Sequence, residues 1–542
     1  MSKKKIKYIC LILFGCLAIF HIANNLYFLT CNPLAEGKDS YAHITGFSNF
    51  KRILENKQNN PFYRTEKSLG YNLVFGVIDY PPLFYLSAYL MNLLLGSLLV
   101  NPALFTNTFY LIMLLSSVYA IAGTINARAA IISAFICGMY PLVFLSSRHF
   151  SLELALSAVT ALSIFLLIKT NGFEQRKFSL LLGIFLGLGM LLKQTFLIYL
   201  SGPMIFYIYL GLFQKQPLSG LKKRGLNLCL SIIIGILISS IFYYNPEVYA
   251  SVFKRAGFSG AVNNENLFSF AHLSYYFQSL PNTIGGFFLL MLLGGLFYLR
   301  KIERRMKYVL ILWVLVPLIF FTFVRLKYGE YTTAYLAALS LITGLAITKI
   351  DRKFLSGLVI AVIIIIGVFD YYQISTNENR NFYATYYPSV PILAVAYPEN
   401  KSQSAAQILE NIAFSQVKIG IFYDSNANDL VFPAYFVRLT GLSPRKKAQI
   451  VDFSFCPDVF WKTLDDFDRI IFITYSDQQW ITNKSFNEFV KQMNEKNPNQ
   501  LKVKQSDIIR LVALNENLDK TDKIVLNKLN PPENIYIYKR KK

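Results

Sequence analysis

The sequence predicts an all-α polytopic membrane protein of about eleven transmembrane helices with a C-terminal extracytoplasmic α/β domain. Of the 542 residues, 54% are hydrophobic and only 16% are charged, a composition too apolar for one soluble core. Several apolar runs approach ~20 residues, the length that crosses the hydrocarbon core of a bilayer. After about Thr376 polar and apolar residues mix, so we place a transmembrane module at 1–375 and a soluble domain at 376–542.

The first apolar run predicts a retained membrane span at 8–29. A basic stretch, "MSKKKIK", precedes it, but no small-residue cleavage site follows and the run is long for a signal peptide. Because basic residues favour the cytoplasmic side, the N-terminus is predicted to be cytoplasmic. The bacterial inner (plasma) membrane is the location that we expect by default.

Short clusters of lysine and arginine fix the orientation of the later spans, since such clusters favour the cytoplasmic side. The clusters lie at 3–7, 128, 169–177, 215–224, 300–307 and 349–353. The first span together with the apolar runs at 83–100 and 105–123 would make three crossings and leave Arg128 outside. We therefore take only 105–123 as a span and predict an interfacial or partly embedded helix for 83–100.

A long apolar run at 179–213 exceeds one span and is broken at "KQT", which places Lys193 at an outer helix end. A large outer loop then occupies 31–104, and a second outer segment occupies 245–283. The C-terminal domain is predicted to be extracytoplasmic. The predicted spans are 8–29, 105–123, 129–146, 152–169, 179–193, 195–213, 225–243, 284–299, 308–324, 331–348 and 354–372.

The C-terminal domain is predicted from alternating β-rich and helix-like stretches. The β-rich runs are "VKIGIFY", "RIIFITY", "IIRLVAL" and "NIYIYK", and the helix-like stretches include "SAAQILENIAF" and "SFNEFVKQMNEK". Such alternation is typical of a small α/β domain. It carries no glycine-rich phosphate loop.

The net charge of +23 does not indicate a nucleic-acid partner, because the basic residues stand in short clusters between apolar runs, as cytoplasmic loops require. The six cysteines are scattered and show no metal-ligand spacing. Cys31 and Cys456 both fall on the predicted outer side, so a disulfide between them is open, although no further feature supports it.

A few ionisable residues lie at predicted outer helix ends, where orientation does not require them. Ionisable groups at membrane depth are costly and often mark function. Several of them also have alternative explanations. The basic residues would snorkel to the headgroups, and the first aspartate, Asp39, would cap a helix N-terminus. Arg148 and Glu153 would form a local ion pair. The set is Asp39, His43, Asp79, Arg148, Glu153, Lys193, Arg325 and Lys327.

Three short stretches carry the chemistry. Asp39 begins "DSYAHI", and His43 would lie on the same face of a helix that starts there. In "DYPPLFY", which begins at Asp79, the proline pair sets a rigid entry to a following helix. In "RLKYGEY", Arg325 and Lys327 suit a phosphate, through a bidentate fork and a point charge.

Together these stretches resemble the C-type superfamily of integral-membrane glycosyltransferases, which use polyprenyl-phosphate sugars. They look most similar to protein O-mannosyltransferases and to the aminoarabinose transferase of lipid A, over most of residues 1–350. Asp39 matches the first-loop catalytic acid of that family, although Ser40 stands where the family often has glutamate. Tyr80 stands where the family often has a histidine before the proline pair.

Two further stretches carry the resemblance. "GLGMLLKQTF" is similar to the family's span that ends in a lysine, here Lys193. "RLKYGEY" is similar to the basic-aromatic turn before a late span, with Lys327 and Tyr328 aligned to it.

The resemblance implies sugar transfer, with inversion, from a polyprenyl-phosphate donor to a lipid, glycan or protein acceptor at the outer membrane face. Asp39 would be the general base, with His43 beside it. No cofactor is required, but a divalent metal held by Asp39 and Glu153 is the alternative role for these carboxylates. The implied donor-binding set is Lys193, Lys327, Tyr328, Arg325 and Arg148, and Asp79 and Glu153 are implied to belong to an acceptor-binding or structural loop.

A transporter or lipid flippase is the rival function, because it would explain the helices and the charges equally well. It would predict repeated halves or paired broken helices, whereas the sequence shows one break, at Lys193, without a matched partner. Convergence of Asp39, Lys193 and Lys327 on one outer cavity would favour the transferase.

Overall fold

The structure is a computed structural model that describes residues 2–31, 80–96, 102–213, 218–244, 268–324 and 329–376, five strands after residue 417, and single residues that include His43 and Lys327. The helices and the strands fall into two compact units.

The described helices are mostly long and apolar. They run, in chain order, α1 Lys3–Cys31, α2 Leu83–Leu95, α3 Thr106–Gly123, α4 Ala127–Met139, α5 Pro141–Ser146, α6 Leu152–Thr170, α7 Arg176–Met190, α8 Phe196–Leu212, α9 Leu218–Tyr243, α10 Phe270–Ile284, α11 Gly286–Tyr298, α12 Arg304–Thr322, α13 Thr333–Ile347 and α14 Lys353–Thr376. Short 3-10 turns lie at Pro102–Phe105, Leu299–Lys301 and Gly329–Thr332.

Helices occupy all eleven predicted span positions, but not all of them are long enough to cross a bilayer alone. Seven described helices are long and apolar enough, and the bent pair α10–α11 would raise the number to 8. The prediction of an integral membrane protein is therefore confirmed, whereas the count of eleven spans stays a prediction. The seven are Lys4–Leu29, Ala103–Gly123, Leu152–Thr170, Gly220–Tyr243, Arg304–Thr322, Gly329–Ile347 and Phe354–Ser375.

The predicted single helix at 129–146 is wrong, because the structure divides it into α4 and α5. Tyr140 separates the two helices in an extended conformation, with φ −64° and ψ 125°. The cause is Pro141, whose ring disfavours helical backbone at the residue before it. The short helix α5 that follows the break ends at Ser146, where the segment 146–151 begins.

The predicted helix after the Pro81–Pro82 pair is present as α2, although whether it lies in the interface is still a prediction. Its first backbone N–H, on Leu83, donates to the carbonyl of Leu191 at 3.0 Å. Phe84 and Tyr85 are buried on its inner face. The helix is thus fixed directly beside the break at Lys193.

The core of the helical unit is formed by helices that are apolar all round. Every residue of α13 is buried, as are most residues of α6. In contrast α9 and α14 expose isoleucine, leucine and phenylalanine side chains, among them Leu237 and Ile365. A helix that is apolar on all faces is either buried in protein or faces lipid. The contrast between the buried helices α13 and α6 and the exposed apolar side chains of α9 and α14 is therefore the one expected of a membrane protein.

Helices α7 and α9 approach each other closely through glycines. A Cβ on Gly183 would come within 2.6 Å of the Ser231 carbonyl oxygen, and one on Gly187 would come within 2.5 Å of the Ile238 Cβ. Glycine spacing of this kind lets helix backbones pack tightly in a membrane. The contact supports α7, whose C-terminal end carries the break at Lys193.

The second unit contains a five-stranded sheet of β1 Lys418–Tyr423, β2 Gln449–Asp452, β3 Arg469–Thr474, β4 Leu518–Leu526 and β5 Glu533–Arg540. The strand order is β2-β1-β3-β5-β4; β2, β1 and β3 are parallel, and β5 is antiparallel to β3 and β4.

Strands β1, β3 and β5 coincide with β-rich runs of the sequence, whereas β2 and β4 were not predicted. The run "IIRLVAL" and the helix-like stretches lie outside the described residues. The α/β domain and the boundary at 375 therefore stay predictions.

Candidate active site

A buried ion pair lies at the break between α7 and α8. Lys193 Nζ donates to Glu153 Oε1 at 2.6 Å, and only 13% and 11% of the two side chains are exposed. Burial alone would lower the pKa of Lys193, but the carboxylate of Glu153 raises it above the usual range. Lys193 is therefore charged at physiological pH, and its positive charge is matched by the carboxylate.

Glu153 is positioned by a turn that Asn107 on α3 holds through hydrogen bonds. The Asn107 side-chain amide donates to the carbonyls of Ser146, His149 and Ser151. This fixes the chain between α5 and α6, and Glu153 follows in the first turn of α6. A carboxylate at this position is also stabilised by the positive end of the helix dipole.

His43 lies beside this pair, in contact with α2 and the residues before it. Its Nδ1 forms a 2.8 Å hydrogen bond with the Tyr85 hydroxyl, and its ring packs edge-on against Tyr80. Burial lowers the pKa of His43 to about 4, a shift that Glu153 opposes and Lys193 adds to. The imidazole is neutral at physiological pH, so it is not a cation for a phosphate.

An aromatic cluster joins Lys193 to the turn at Lys327. The Nζ of Lys193 is 5.7 Å from the centroid of the Tyr331 ring. Tyr331 stacks on Phe321 with centroids 4.6 Å apart, and Tyr199 donates from its hydroxyl to the Tyr331 carbonyl at 2.9 Å. Lys193 thus contacts a ring that stacks on Phe321, and Lys327 binds the backbone carbonyl of the same Phe321.

Lys327 itself lies at the C-terminal end of α12. Its Nζ donates to the carbonyls of Phe321 and Thr322 at 2.7 and 2.6 Å, where the helix dipole is negative. The ammonium also lies over the Tyr276 ring, at 5.3 Å. Burial lowers the pKa of Lys327 to about 8. The same side chain thus caps a helix and carries a charge that titrates near neutral pH.

Arg148 is also buried, but it contacts a different set of residues. Its Nε donates to Asn25 Oδ1 at 3.2 Å and its Nη2 to the Tyr371 hydroxyl at 2.9 Å. Neither Glu153 nor Lys193 is among its partners, although it lies five residues before Glu153 in sequence. The local Arg148–Glu153 ion pair, which was the alternative explanation for these two residues, does not form, since Glu153 pairs with Lys193 instead.

The structure therefore brings three predicted site residues together, His43, Glu153 and Lys193, and connects Lys327 to them through aromatic rings. The other predicted site residues, Asp39, Asp79, Arg325 and Tyr328, lie outside the described residues. Within the described part of the chain no three His, Cys, Asp or Glu residues are grouped as metal ligands. A metal bound by Asp39 and Glu153 is still a prediction.

Sequence reasoning missed the polar and aromatic residues that support the site. Asn107 and Tyr331 are the main ones, together with Tyr85. A polar residue such as Asn107 within a predicted span was a signal that it must find a partner there, because an unpaired amide in hydrocarbon is costly. Tyr331 stands in the quoted motif "RLKYGEY", where the resemblance pointed to Tyr328 and not to Tyr331.

A sequence profile of one protein family matches part of the chain. The family is described as dolichyl-phosphate-mannose-protein mannosyltransferase, and the match covers residues 79–244. This stretch contains Tyr85, Arg148, Glu153 and Lys193. Among curated proteins none matches the chain.

Solved structures share the fold. The ArnT protein of Cupriavidus metallidurans in the apo state has a TM-score of 0.56 at 16% identity, covering 85% of this chain and 92% of that one. The same protein bound to undecaprenyl phosphate has a TM-score of 0.59 at 13% identity, covering 97% of each chain.

These comparisons confirm the predicted resemblance to C-type integral-membrane glycosyltransferases. The solved structures are too distant in sequence to show more than the fold. The family match adds a resemblance to a glycosyltransferase family over residues 79–244, as predicted.

Proposed function

We propose that this protein transfers a sugar from a polyprenyl-phosphate donor to a lipid, glycan or protein acceptor at the outer face of the membrane. The observation that carries the proposal is the buried Lys193–Glu153 pair, with His43 beside it, in the stretch that the family profile matches. Polyprenyl-phosphate donors are supported by the family description, and by a solved structure of the same fold that holds undecaprenyl phosphate.

Two lysines would bind the donor phosphate. An ammonium has three N–H donors; Lys193 uses one on Glu153, and Lys327 uses two on backbone carbonyls. Each has a donor left for a phosphate oxygen. Arg325, Tyr328 and Arg148 are the other donor contacts that the resemblance implies, and Asp79 belongs to the implied acceptor-binding or structural loop.

Asp39 would act as the general base. It takes the proton of the acceptor nucleophile, whose oxygen or nitrogen attacks the anomeric carbon while the bond from that carbon to the phosphate oxygen breaks. The polyprenyl phosphate leaves with the bonding electron pair, and Lys193 and Lys327 stabilise its charge. Attack from the face opposite the phosphate inverts the anomeric centre.

Glu153 would orient Lys193 rather than bind a metal. Its Oε1 accepts a hydrogen bond from Lys193 Nζ, and the ammonium already balances its charge. A divalent ion at Glu153 would be repelled by that ammonium. This favours the metal-free reaction over the alternative of a metal shared with Asp39.

Purified protein in nanodiscs tests the proposal. It is incubated with polyprenyl-phosphate sugars of several kinds and with lipid or glycan extract, and released polyprenyl phosphate is measured by mass spectrometry. The proposal expects release that requires an acceptor and that Lys193→Ala reduces. Movement of labelled donor between leaflets without release would show a flippase instead. Envelope lipids and glycans of a deletion strain then identify the acceptor.

A further inference from the structure

Arg148 is a buried cation that lies among aromatic rings. It is 4% exposed, and its guanidinium lies 4.8, 5.6 and 5.2 Å from the ring centroids of Phe28, Phe144 and Tyr371. Within the described residues no acidic group forms an ion pair with it. Cation–π contacts and two hydrogen bonds offset part of the cost of removing this charge from water.

The partners of Arg148 come from distant parts of the chain. Asn25 and Phe28 lie on the last turns of α1, and Tyr371 lies on α14. Asn25 also donates to Thr108 on α3 at 3.1 Å and to Ser147 at 2.7 Å. The Arg148 side chain thus links α1, α14 and the turn after α5.

That turn leads directly to the active-site pair. The polar segment 146–151 is held from the other side by Asn107, next to Thr108 on α3, and Glu153 follows it by two residues. Movement of Arg148 would therefore be felt at Glu153, although Glu153 is not among its described contacts.

We infer that Arg148 is a positioning residue for the transfer reaction: by joining α1, α14 and the turn before Glu153 it fixes the Lys193–Glu153 pair. The inference rests on the proposed function and assigns Arg148 a role other than donor binding. Arg148 acts through Asn25 and Tyr371, so those contacts, and not the donor phosphate, are what its loss removes.

Kinetics of three variants test the inference: Arg148→Lys, Tyr371→Phe and the double variant, with exposed Tyr209→Phe as the control that loses a hydroxyl elsewhere. The kcat per folded protein should fall about 10- to 100-fold for Arg148→Lys, the scale for a misplaced catalytic group. The KM for donor and the Kd for polyprenyl phosphate should stay within about twofold, since only a transition-state interaction is lost. The double variant should be no slower than Arg148→Lys alone.

Three results would overturn it. A Kd for polyprenyl phosphate weakened as much as in Lys193→Ala would make Arg148 a donor ligand. An unchanged kcat with a lowered Tm would make it a residue of the fold only. A wild type that releases no polyprenyl phosphate refutes the proposed function and this inference with it, whereas an active wild type with unaffected variants refutes the inference alone.

Discussion

Lys193 Nζ lies 2.6 Å from Glu153 Oε1, and both side chains are almost completely withdrawn from solvent. Removing one partner of such a pair leaves the other charge buried and unpaired, at a cost of about 3–5 kcal/mol. We therefore expect Glu153→Gln and Lys193→Gln each to lower the free energy of unfolding by this amount, and the double variant to lose less than their sum. Reversible unfolding in detergent gives the values.

The matched control for this prediction is Asp351→Asn. In the Lys301–Asp351 pair the N–O distance is 3.3 Å, but 42% and 90% of the two side chains are exposed. Exposed pairs contribute about 0–1 kcal/mol, so this variant should be close to wild type. Equal losses in Glu153→Gln and Asp351→Asn would show that the inner pair is not held in a dry site.

The charge of Lys327 predicts that the affinity for polyprenyl phosphate depends on pH. Its pKa is lowered to about 8, so the ammonium is charged below this pH and loses its charge as the pH rises above it. A charged hydrogen bond to phosphate contributes about 1.5–3 kcal/mol, so the affinity for polyprenyl phosphate should weaken about tenfold or more between pH 7 and pH 9.5.

Lys327→Arg is the control, because arginine stays charged throughout this range. The affinity of the Lys327→Arg variant for polyprenyl phosphate should stay constant over the pH range in which that of wild type declines. The same decline in wild type and Lys327→Arg would mean that another group, or the donor itself, causes it.

Tight packing of α7 on α9 predicts a difference between two glycines. A Cβ on Gly187 would lie 2.5 Å from the Ile238 Cβ, so Gly187→Ala should destabilise the protein by about 1–3 kcal/mol. Gly225 lies on α9 with no atom within 4 Å of its added Cβ, and Gly225→Ala should stabilise by up to about 1 kcal/mol. Thermal shift assays of the two variants compare them; a neutral Gly187→Ala would contradict the close approach.

The orientation of the chain is testable with fusions. The basic loops predict that the C-terminus is outside, so a reporter that is active only in the periplasm should be active when fused after Lys542. A cytoplasm-only reporter that gives signal there would reverse the orientation and place the Lys193–Glu153 pair at the inner face.

Most of the helical architecture could be predicted from the sequence, because the length of an apolar run and the residues that begin or end a helix are local features. The break at Lys193 and the helix after Pro82 were both predicted from a few neighbouring residues. The division at Tyr140 was also readable, since Pro141 disfavours helix before it, but the surrounding apolar run concealed it.

The candidate site was predictable only in part, because its contacts join residues far apart in sequence. Glu153 is 40 residues from Lys193, and Arg148 is 223 residues from Tyr371. No periodicity links such pairs. From the sequence, an ion pair of Glu153 could be suggested only with its near neighbour Arg148, as an alternative explanation, whereas in the fold Glu153 pairs with Lys193.

The central claim, a sugar transfer with Asp39 as base, is tested most directly by Asp39→Asn. Purified wild type and Asp39→Asn protein, matched in Tm and in polyprenyl-phosphate affinity, are compared in nanodiscs by the rate of acceptor-dependent release of polyprenyl phosphate from its sugar. Loss of the general base should lower this rate by at least ~10²-fold while donor affinity stays unchanged. Release by Asp39→Asn at the wild-type rate, from normally folded protein, would contradict the account.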